Sequence, residues 1–275
     1  MASLTIKDKT FGEGIPKICI PITGRTEKEI QDAAGRIAGQ PHDVVEWRAD
    51  YYENITDEKL LLSILKLLKN LLPHSLLLFT FRTKKEGGVH ELSEEDYLKI
   101  CRTAAKSGLI DLLDLELFTG SYYAASPEAQ VSGSDASKSA PDILKTSPLK
   151  SLISLAHEKG CHVILSNHDF HKTPKQDELL YRLSLMDAMG ADMAKLAVMP
   201  RCENDVLSLL AVTRKAADSL RCPVITMSMG KLGAVSRISG KLTGSCLTFG
   251  TAGEASAPGQ LPARILKQIL ETLSV

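Results

Sequence analysis

The chain has 275 residues, enough to bury a large core in one big domain or two smaller ones. Lysine plus arginine and aspartate plus glutamate both total 33, so the formal net charge is zero. No overall field would therefore draw the protein to nucleic acid or to an anionic membrane. The sequence also has no arginine-rich arm and no aromatic-studded basic stripe, which argues against nucleic acid as a partner.

The N-terminal ten residues alternate between polar and apolar and lack the apolar core of a secretory signal. No apolar run approaches the roughly 20 residues that a membrane-spanning helix needs. The six cysteines are scattered and include no Cys-x-x-Cys pair, which argues against a zinc ribbon or a disulfide framework. We therefore expect a cytoplasmic protein with reduced thiols and no membrane partner.

Apolar runs of strand length alternate with segments of helical period along the chain. Strands are predicted at residues 17–23, 44–50, 76–82, 112–118, 162–169, 191–199, 223–229 and 247–251. Helices are predicted at residues 26–39, 56–72, 93–107, 148–159, 203–219 and 260–273, with another beginning near 173 and a short one at 233–240. Thr26 with Glu29, and Thr173 with Pro174, supply the capping signals of two of these helices.

Eight strand–helix units in about 250 residues are typical of a (β/α)8 TIM barrel, an α/β fold. We therefore predict a single barrel domain over residues 1–275, with residues 3–16 as a small β-hairpin that covers the bottom of the barrel. An open doubly wound sheet would need a glycine-rich fingerprint after an early strand, and the sequence has none.

One segment interrupts this alternation. Residues from about 119 to 147 are rich in Ser, Ala, Gly and Pro and show no sustained period. A loop of this length and low complexity predicts an insertion. It follows the fourth barrel strand, so it should leave from the catalytic rim.

Polar residues share one face of the predicted strands. In the second strand, Glu46 and Arg48 lie opposite Trp47, because successive side chains of a strand point to opposite faces. A barrel interior is normally filled with branched apolar side chains. A single pair such as Glu46 with Arg82 would indicate only a buried ion pair. The whole set predicts a polar pocket at the top of the barrel: Glu46, Arg48, Arg82, Glu116, His168 and Lys195.

Lys195 lies in the middle of the predicted strand at residues 191–199. Burial lowers the pKa of an ammonium, and a neutral lysine amine is a nucleophile towards ketones and aldehydes. Taken alone, Lys195 could equally be a strand-end residue that extends to water. His168, on the preceding strand, would stand beside it and could move protons during imine formation. Residue types alone leave elimination, aldol cleavage and isomerisation open.

Two glycine-rich stretches, residues 230–240 and 255–260, follow the seventh and eighth strands. The loops after these strands bind anions in many barrels, so a phosphate cradle is one interpretation. A carboxylate clamp by Arg237 is another, because a guanidinium can donate two hydrogen bonds to a carboxylate.

Eight short motifs are distributed along nearly the whole chain. They are Glu46-Trp47-Arg48-Ala49-Asp50, Phe79-Thr80-Phe81-Arg82, Lys85-Glu86-Gly87-Gly88, Asp114-Leu115-Glu116-Leu117-Phe118, Ser166-Asn167-His168-Asp169-Phe170, Ala191-Asp192-Met193-Ala194-Lys195, Ser236-Arg237 and Ser256-Ala257-Pro258-Gly259-Gln260. At these residues the sequence resembles the type I 3-dehydroquinate dehydratases, the Schiff-base dehydratases of the shikimate pathway. The resemblance implies a hydro-lyase that converts 3-dehydroquinate to 3-dehydroshikimate and water. This is the third step of that pathway, which leads to chorismate and the aromatic amino acids.

The resemblance also implies residue roles. Lys195 would form the imine with the substrate ketone, His168 would be the general acid and base, and Glu86 would support the histidine. The implied substrate-binding residues are Glu46, Arg48, Arg82, Arg237, Ser256 and Gln260. The family further implies a small-molecule substrate as the partner, no cofactor, no metal and a homodimer.

The chain departs from the family pattern in three respects. Pro21 stands where relatives often have a serine, and the segment at 119–147 replaces a short connection. Plant relatives are fused to a shikimate dehydrogenase, whereas no such domain follows the eighth helix here, so we expect a monofunctional enzyme. The main alternative is a class I Schiff-base aldolase that recognises phosphate through the last two loops. A metal-dependent barrel using His168, His171, Glu46 and Glu116, and a non-catalytic binding barrel, are the remaining hypotheses.

Overall fold

The computed structural model describes residues 1–119, 148–253 and 259–274. A short antiparallel hairpin comes first, with strands β1 (Leu4–Ile6) and β2 (Lys9–Phe11). Eight parallel strands of the described chain then form the barrel wall: β3 (Lys17–Ile22), β4 (Val44–Arg48), β5 (Leu76–Thr80), β6 (Leu112–Glu116), β7 (His162–Asp169), β8 (Met193–Val198), β9 (Val224–Ser228) and β10 (Leu247–Thr251). A two-residue strand, β11 (Leu261–Pro262), pairs with the end of β10.

Helices connect these strands on the outside. They are α1 (Glu27–Ala38), α2 (Glu58–Leu71), α3 (Glu94–Lys106), α4 (Pro148–Glu158), α5 (Gln176–Ala188), α6 (Glu203–Ser219), α7 (Gly240–Thr243) and α8 (Ala263–Thr272). Within the described ranges, three 3-10 helices follow β4, β5 and β9, at Ala49–Tyr51, Lys84–Glu86 and Leu232–Arg237. The structure thus confirms the predicted (β/α)8 barrel. Among the described residues, no helix combines the length and the apolar character needed to cross a bilayer.

The strands follow one another around the barrel from β10 through β3 to β9. The ring closes between β9 and β10 through a bridge from Val224 to Ser245. There the Cys246 N–H donates to the Val224 carbonyl at 2.8 Å, and the Thr226 N–H donates to Ser245 Oγ at 3.0 Å. The contact between β9 and β10 that closes the ring therefore has fewer paired residues than the other strand pairings.

Alternation along the strands produces two apolar cores. Outward-facing residues such as Trp47, Phe79 and Phe81 are fully buried beneath the helices. Inward-facing residues fill the lower half of the barrel, among them Val44, Leu76, Leu78, Leu112, Ile164, Met193 and Ile225. Above this layer the inward positions become polar, as the parity of the sequence predicts.

The hairpin closes the lower end of the barrel, as predicted. Ile6 and Phe11 belong to the same apolar cluster as Leu76 and Leu112, which begin strands β5 and β6. Phe11 has no exposed surface. The apolar plug therefore covers the end of the barrel opposite the polar positions.

One predicted helix cap is confirmed, and two other helices begin later than predicted. Thr26 caps α1, because its hydroxyl accepts the Glu29 N–H at 3.3 Å. The predicted cap at Thr173 is wrong, because α5 begins at Gln176 and the Thr173 hydroxyl donates instead to the carbonyl of Met199 at 3.0 Å. The last helix begins at Ala263 rather than residue 260, because residues 261–262 pair with β10 as β11.

Residues 120–147, which make up almost all of the predicted insertion at 119–147, lie outside the described residues. Thr119, at its start, is buried and donates to the Glu116 carbonyl at 2.8 Å. The organisation of residues 1–275 as a single domain stays a prediction.

Removal of the plug side chain should weaken the fold. We expect Phe11→Ala to lower the free energy of unfolding by about 3 kcal/mol, because it empties a fully enclosed aromatic site. Thr5→Ala, at an exposed position of the same hairpin, is the matched control and should change stability by less than about 0.5 kcal/mol. Urea denaturation of both variants measures the difference, and equal stabilities would contradict the role of Phe11 as a plug.

Candidate active site

A pocket opens at the C-terminal ends of the barrel strands. Its wall includes eight of the nine catalytic and substrate-binding residues that the family resemblance implies: Glu46, Arg48, Arg82, Glu86, His168, Lys195, Arg237 and Gln260. Ser256, the remaining one, lies outside the described residues. Glu116, which strand parity also placed in the pocket, does not line it and instead bonds Arg82 and Thr83. Phe170, Ala197, Met227, Met229 and Phe249 form the apolar part of the wall.

Lys195 lies inside this pocket, on β8, and is only 3% exposed. Its Nζ is 2.9 Å from Asp114 Oδ2 and 3.9 Å from Glu46 Oε1. The same nitrogen lies 4.8 Å from the centre of the Phe249 ring, a cation–π contact. Lys195 is thus a buried, ion-paired residue, and the alternative of a strand-end lysine extending to water is wrong.

Asp114, on β6, is the counterion of this lysine. It is fully buried, and it also accepts hydrogen bonds from Arg82 Nη2 at 2.8 Å and Ser166 Oγ at 2.6 Å. Burial alone would raise the pKa of Asp114, but the positive charges of Arg82 and Lys195 hold it well below the ordinary value. The parity of β6 placed this carboxylate on the pocket face, yet no sequence signal assigned it to Lys195.

Arg82 connects three acidic residues. Besides Asp114, its guanidinium donates to Glu116 Oε1 at 3.0 Å and lies 3.7 Å from Glu86 Oε2. Burial opposes the charged form, but the surrounding carboxylates outweigh it and raise the pKa of Arg82 well above the ordinary value. Glu116 also accepts from the backbone N–H and the hydroxyl of Thr83, at 2.8 and 2.7 Å. This network fixes the residues that follow β5.

Arg48 and Glu46 come from β4. The Arg48 guanidinium donates to both oxygens of Asp50, at 2.7 and 2.8 Å, and lies 5.0 Å from the centre of the Tyr51 ring. Glu46 Oε1 accepts from Thr80 Oγ1 at 2.8 Å. Arg48 is therefore held by the 3-10 helix that follows β4, and Glu46 by the adjacent strand β5.

His168, at the upper end of β7, faces Glu86. Its Nδ1 is 2.9 Å from Glu86 Oε2, and the same oxygen accepts the His168 backbone N–H at 3.0 Å. We assign the imidazole hydrogen to Nδ1, which leaves Nε2 as the basic nitrogen. Burial and the positive charges of Arg82 and Lys195 hold the pKa of His168 well below its ordinary value, so the ring is neutral at pH 7.

The position of Glu86 depends on the glycine that follows it. Gly87 has a φ of +87°, in the left-handed region, and a Cβ at this position would lie 2.4 Å from the Phe170 ring. A larger residue would therefore displace the short 3-10 helix at Lys84–Glu86 from the end of β7.

Arg237 approaches the pocket from the 3-10 helix after β9. It is 2% exposed, and burial lowers its pKa to about 10, which leaves it cationic at neutral pH. Ser236 Oγ accepts the Ser228 N–H at 2.9 Å, and Thr248 Oγ1 donates to the Arg237 carbonyl at 2.9 Å. Strands β9 and β10 thus both fix the arginine.

The described residues contain no group of three or more His, Cys, Asp or Glu side chains that could hold a metal ion. His171 is exposed, while Glu116 is occupied by Arg82 and Thr83. The structure therefore does not assemble the ligand set of the metal-dependent hypothesis.

The fold and the site together define a (β/α)8 barrel with a buried lysine and a carboxylate-paired histidine in one polar pocket. A model of the type I 3-dehydroquinase family matches residues 18–275. A 3-dehydroquinate dehydratase of Klebsiella pneumoniae is 42% identical over 273 residues, covering 99% of each chain. One from Listeria welshimeri is 41% identical and covers 99% of this chain and 98% of its own length.

A solved structure agrees with these relatives. The type I 3-dehydroquinate dehydratase of Clostridium difficile, with covalently modified comenic acid, has a TM-score of 0.86 and 38% identity, covering 100% of this chain and 99% of that one. This chain therefore belongs to the type I 3-dehydroquinase family, as the sequence motifs predict. It is a hydro-lyase of the type I 3-dehydroquinate dehydratase class, an enzyme of the shikimate pathway.

The buried carboxylate of Asp114 should make the free energy of unfolding depend on pH in the acid range. Because the folded pKa of Asp114 is depressed, its contribution is full above the unfolded pKa of about 3.9 and declines as the pH falls towards the folded pKa. Asp114→Asn should therefore cost about 3 kcal/mol at pH 7, since it leaves Arg82 and Lys195 under-compensated. The difference from the wild type should shrink below about pH 4.

Denaturant titrations of both proteins at several pH values measure this difference. Asp218→Asn, which removes an exposed carboxylate paired with Arg214, is the control and should show a small, nearly pH-independent change. An Asp114→Asn deficit that stays constant down to about pH 3 would contradict the assignment.

Proposed function

We propose that this chain dehydrates 3-dehydroquinate to 3-dehydroshikimate through an imine on Lys195, with His168 as general acid and base. One observation carries the proposal: the buried amine of Lys195 shares a pocket with the imidazole of His168, whose Nδ1 faces Glu86. The family to which the chain belongs supports the choice of substrate and favours dehydration over aldol cleavage.

The strand register supports joint action of the two residues. Ser166 pairs with Lys195, and His168 pairs with Ala197, on adjacent strands β7 and β8. His168 therefore lies on the same face two residues further along, or roughly 7 Å at the usual rise of a strand. This offset suits one small ring that contacts the amine at its ketone carbon and the imidazole at the neighbouring carbon.

Formation of the imine begins when Lys195 Nζ passes a proton to His168 and attacks the ketone carbonyl as the neutral amine. The carbinolamine takes that proton back from His168 on its hydroxyl group, loses water and becomes an iminium. The nitrogen is positive both in the resting ammonium and in the iminium, so Asp114, at 2.9 Å, faces a cation at both stages. A counterion that needs no rearrangement stabilises the charged intermediate at little cost.

The elimination itself falls to His168. The iminium acidifies the adjacent carbon, and the basic Nε2 of His168 removes its proton to give an enamine. The enamine expels the β-hydroxyl, which leaves as water with the proton returned by His168. Hydrolysis of the remaining imine releases 3-dehydroshikimate and restores Lys195. Because the iminium accepts the electron pair and His168 carries the proton, we propose that the reaction needs neither cofactor nor metal.

Substrate recognition is proposed for the remaining pocket residues. The guanidinium of Arg237 would bind the substrate carboxylate, which a planar fork of donors suits. Glu46, Arg48 and Arg82 would contact the hydroxyl groups of the ring. Gln260 and Ser256 would belong to the loop that closes over the bound carboxylate.

Two broader expectations also remain proposals. The family resemblance implies a homodimer. A cytoplasmic location is supported by the six cysteines, all of which are free thiols and five of which are buried.

The direct test of the reaction is a spectrophotometric assay. Purified protein mixed with 3-dehydroquinate should generate the absorbance of the conjugated enone that dehydration forms. If folded protein gives no increase in this absorbance, the proposed function is wrong.

Loss of the Lys195 amine should abolish catalysis. We expect Lys195→Ala to lose both turnover and trapping by borohydride, because no other lysine amine lines the described pocket to form the imine. The variant should still bind ligand. In the wild type, mass spectrometry after borohydride should place the adduct on the single peptide that contains Lys195. Lys267→Ala, at an exposed position of α8, is the control and should behave as the wild type. Residual Lys195→Ala activity above about one per cent would count against a covalent role.

Replacement of the proposed carboxylate ligand should act mainly on binding. Arg237→Lys keeps the charge but loses the fork of donors, so we expect KM to rise about 10- to 100-fold, with a smaller change in kcat. Arg264→Lys, on the outer helix α8, should leave both constants unchanged. Steady-state kinetics with 3-dehydroquinate provide the measurement, and an unchanged KM in Arg237→Lys would remove this arginine from the binding site.

A further inference from the structure

Two residues behind the pocket, Asn167 and Arg182, form a hydrogen-bonded chain that ends on Glu86. Asn167 precedes His168 in β7, so its side chain points to the opposite face, towards the helices. Asn167 Nδ2 donates to Glu86 Oε1 at 3.0 Å. Arg182 Nη1, from α5, donates to Asn167 Oδ1 at 2.6 Å. Both side chains are buried, and neither was among the site residues predicted from the sequence.

Arg182 determines which way the Asn167 amide points. A guanidinium can only donate, so the amide oxygen must face Arg182. The amide NH2 then faces the Glu86 carboxylate, which can accept it. Without the arginine, the two orientations of the amide would be closer in energy, and one of them would set an oxygen against the carboxylate of Glu86.

The amide donor in turn affects the state of Glu86. Burial and the nearby Glu116 raise the pKa of Glu86 well above its ordinary value, against the lowering effects of the Arg82 charge and of the hydrogen bond from Asn167. In the structure both carboxyl oxygens of Glu86 accept hydrogen bonds, Oε1 from Asn167 Nδ2 and Oε2 from the His168 backbone N–H. A protonated Glu86 would donate to Nδ1 of His168, and the imidazole hydrogen would then move to Nε2. Nε2 is the nitrogen that must be free of hydrogen to act as the base. Loss of the amide donor would therefore favour the inactive tautomer.

We propose that Arg182 and Asn167 are positioning residues for the general base: Arg182 orients the Asn167 amide, the amide donates to Glu86 Oε1, and Glu86 Oε2 then accepts from His168 and keeps the imidazole hydrogen on Nδ1. This inference rests on the proposed function of His168. Neither residue contacts the pocket, so both act through Glu86 alone.

Other charged groups also face Glu86 and His168, and the variants of the test leave all of them unchanged. Around Glu86 they are Arg82, Asp114 and Glu116; around His168 they are Arg48, Arg82, Asp114 and Lys195. Arg182 itself is held by an ion pair with Glu178 on the same helix and lies 5.6 Å from the Phe118 ring. A purely structural role would tie α5 to the barrel, and the measurements must distinguish that role from positioning.

The kinetic test compares Arg182→Met and Asn167→Ala with the wild type. We expect kcat to fall about 10- to 100-fold with KM within about threefold, since the base and not the binding site is affected. The acid limb of the kcat profile should move to higher pH, because Glu86 must be ionised and loss of a donor raises its pKa. Arg182→Lys, which keeps a cationic donor, should recover most of kcat.

Arg214→Met is the matched control. Arg214 also pairs with a carboxylate four residues away, Asp218, on the neighbouring helix α6, but it is far more exposed and has no link to Glu86. This variant should leave kcat and its pH profile unchanged. Because Arg182 and Asn167 act in series, the double variant Arg182→Met/Asn167→Ala should be no slower than Asn167→Ala alone. A multiplicative loss in the double variant would overturn the serial arrangement.

A second readout does not depend on activity. Histidine-selective 15N NMR at neutral pH should show the hydrogen of His168 on Nδ1 in the wild type, with the signal assigned by its absence in His168→Asn. In Arg182→Met and Asn167→Ala the Nε2-protonated tautomer should become populated. If Arg182→Met fails to fold in a thermal melt, Asn167→Ala and Arg182→Lys provide the comparison.

The two readouts separate the possible failures. A wild type that does not convert 3-dehydroquinate, but whose tautomer shifts in the variants, would overturn the proposed function and leave the positioning role intact. Normal turnover with an unchanged tautomer and an unmoved acid limb in Asn167→Ala would overturn the positioning role. If stability and activity fall together while the acid limb and the His168 tautomer stay unchanged, Arg182 and Asn167 have a structural role only, and the positioning role is overturned.

Discussion

The pocket depends on one buried carboxylate. Asp114 has no exposed surface, yet it contacts Arg82, Ser166 and Lys195, which come from three different strands or strand ends. Taking an uncompensated cation out of water costs several kcal/mol. The buried Asp114, which lies between Arg82 and Lys195, compensates both cations. The placement of Lys195 in the floor of the pocket depends on that contact.

The barrel is divided along its axis, and this division determines where chemistry can occur. Its lower half is apolar and is sealed by Phe11 from the N-terminal hairpin. Its upper half carries the charges and opens at the C-terminal ends of the strands. Charges in such a partly enclosed, low-dielectric site interact more strongly than they would in water. A charged intermediate formed there meets fixed partners instead of mobile solvent.

Each proposed functional group is also oriented by a second residue. Lys195 faces Asp114, Arg48 is held by Asp50, and His168 is held by Glu86. The last pair extends through Asn167 to Arg182, on the outer helix layer. Side chains fixed in this way need little reorganisation when a substrate binds, which favours precise positioning of the reacting atoms.

The alternation of strands and helices, the barrel and the inward face of each strand were predictable from the sequence, because these features depend on local periods of two and 3.6 residues. The sequence also brought out Lys195 and His168, since polar residues on a core-facing position are unusual. Partners remote in sequence were beyond its reach. Asp114 is paired with Lys195, 81 positions away, only because the barrel sets β6 and β8 around a common axis. Asn167 faces away from the pocket and so carried no signal, and the Thr173 hydroxyl bonds Met199 instead of capping a helix. Tertiary structure decided these contacts, because they depend on distances that exist only after the ring of strands has closed.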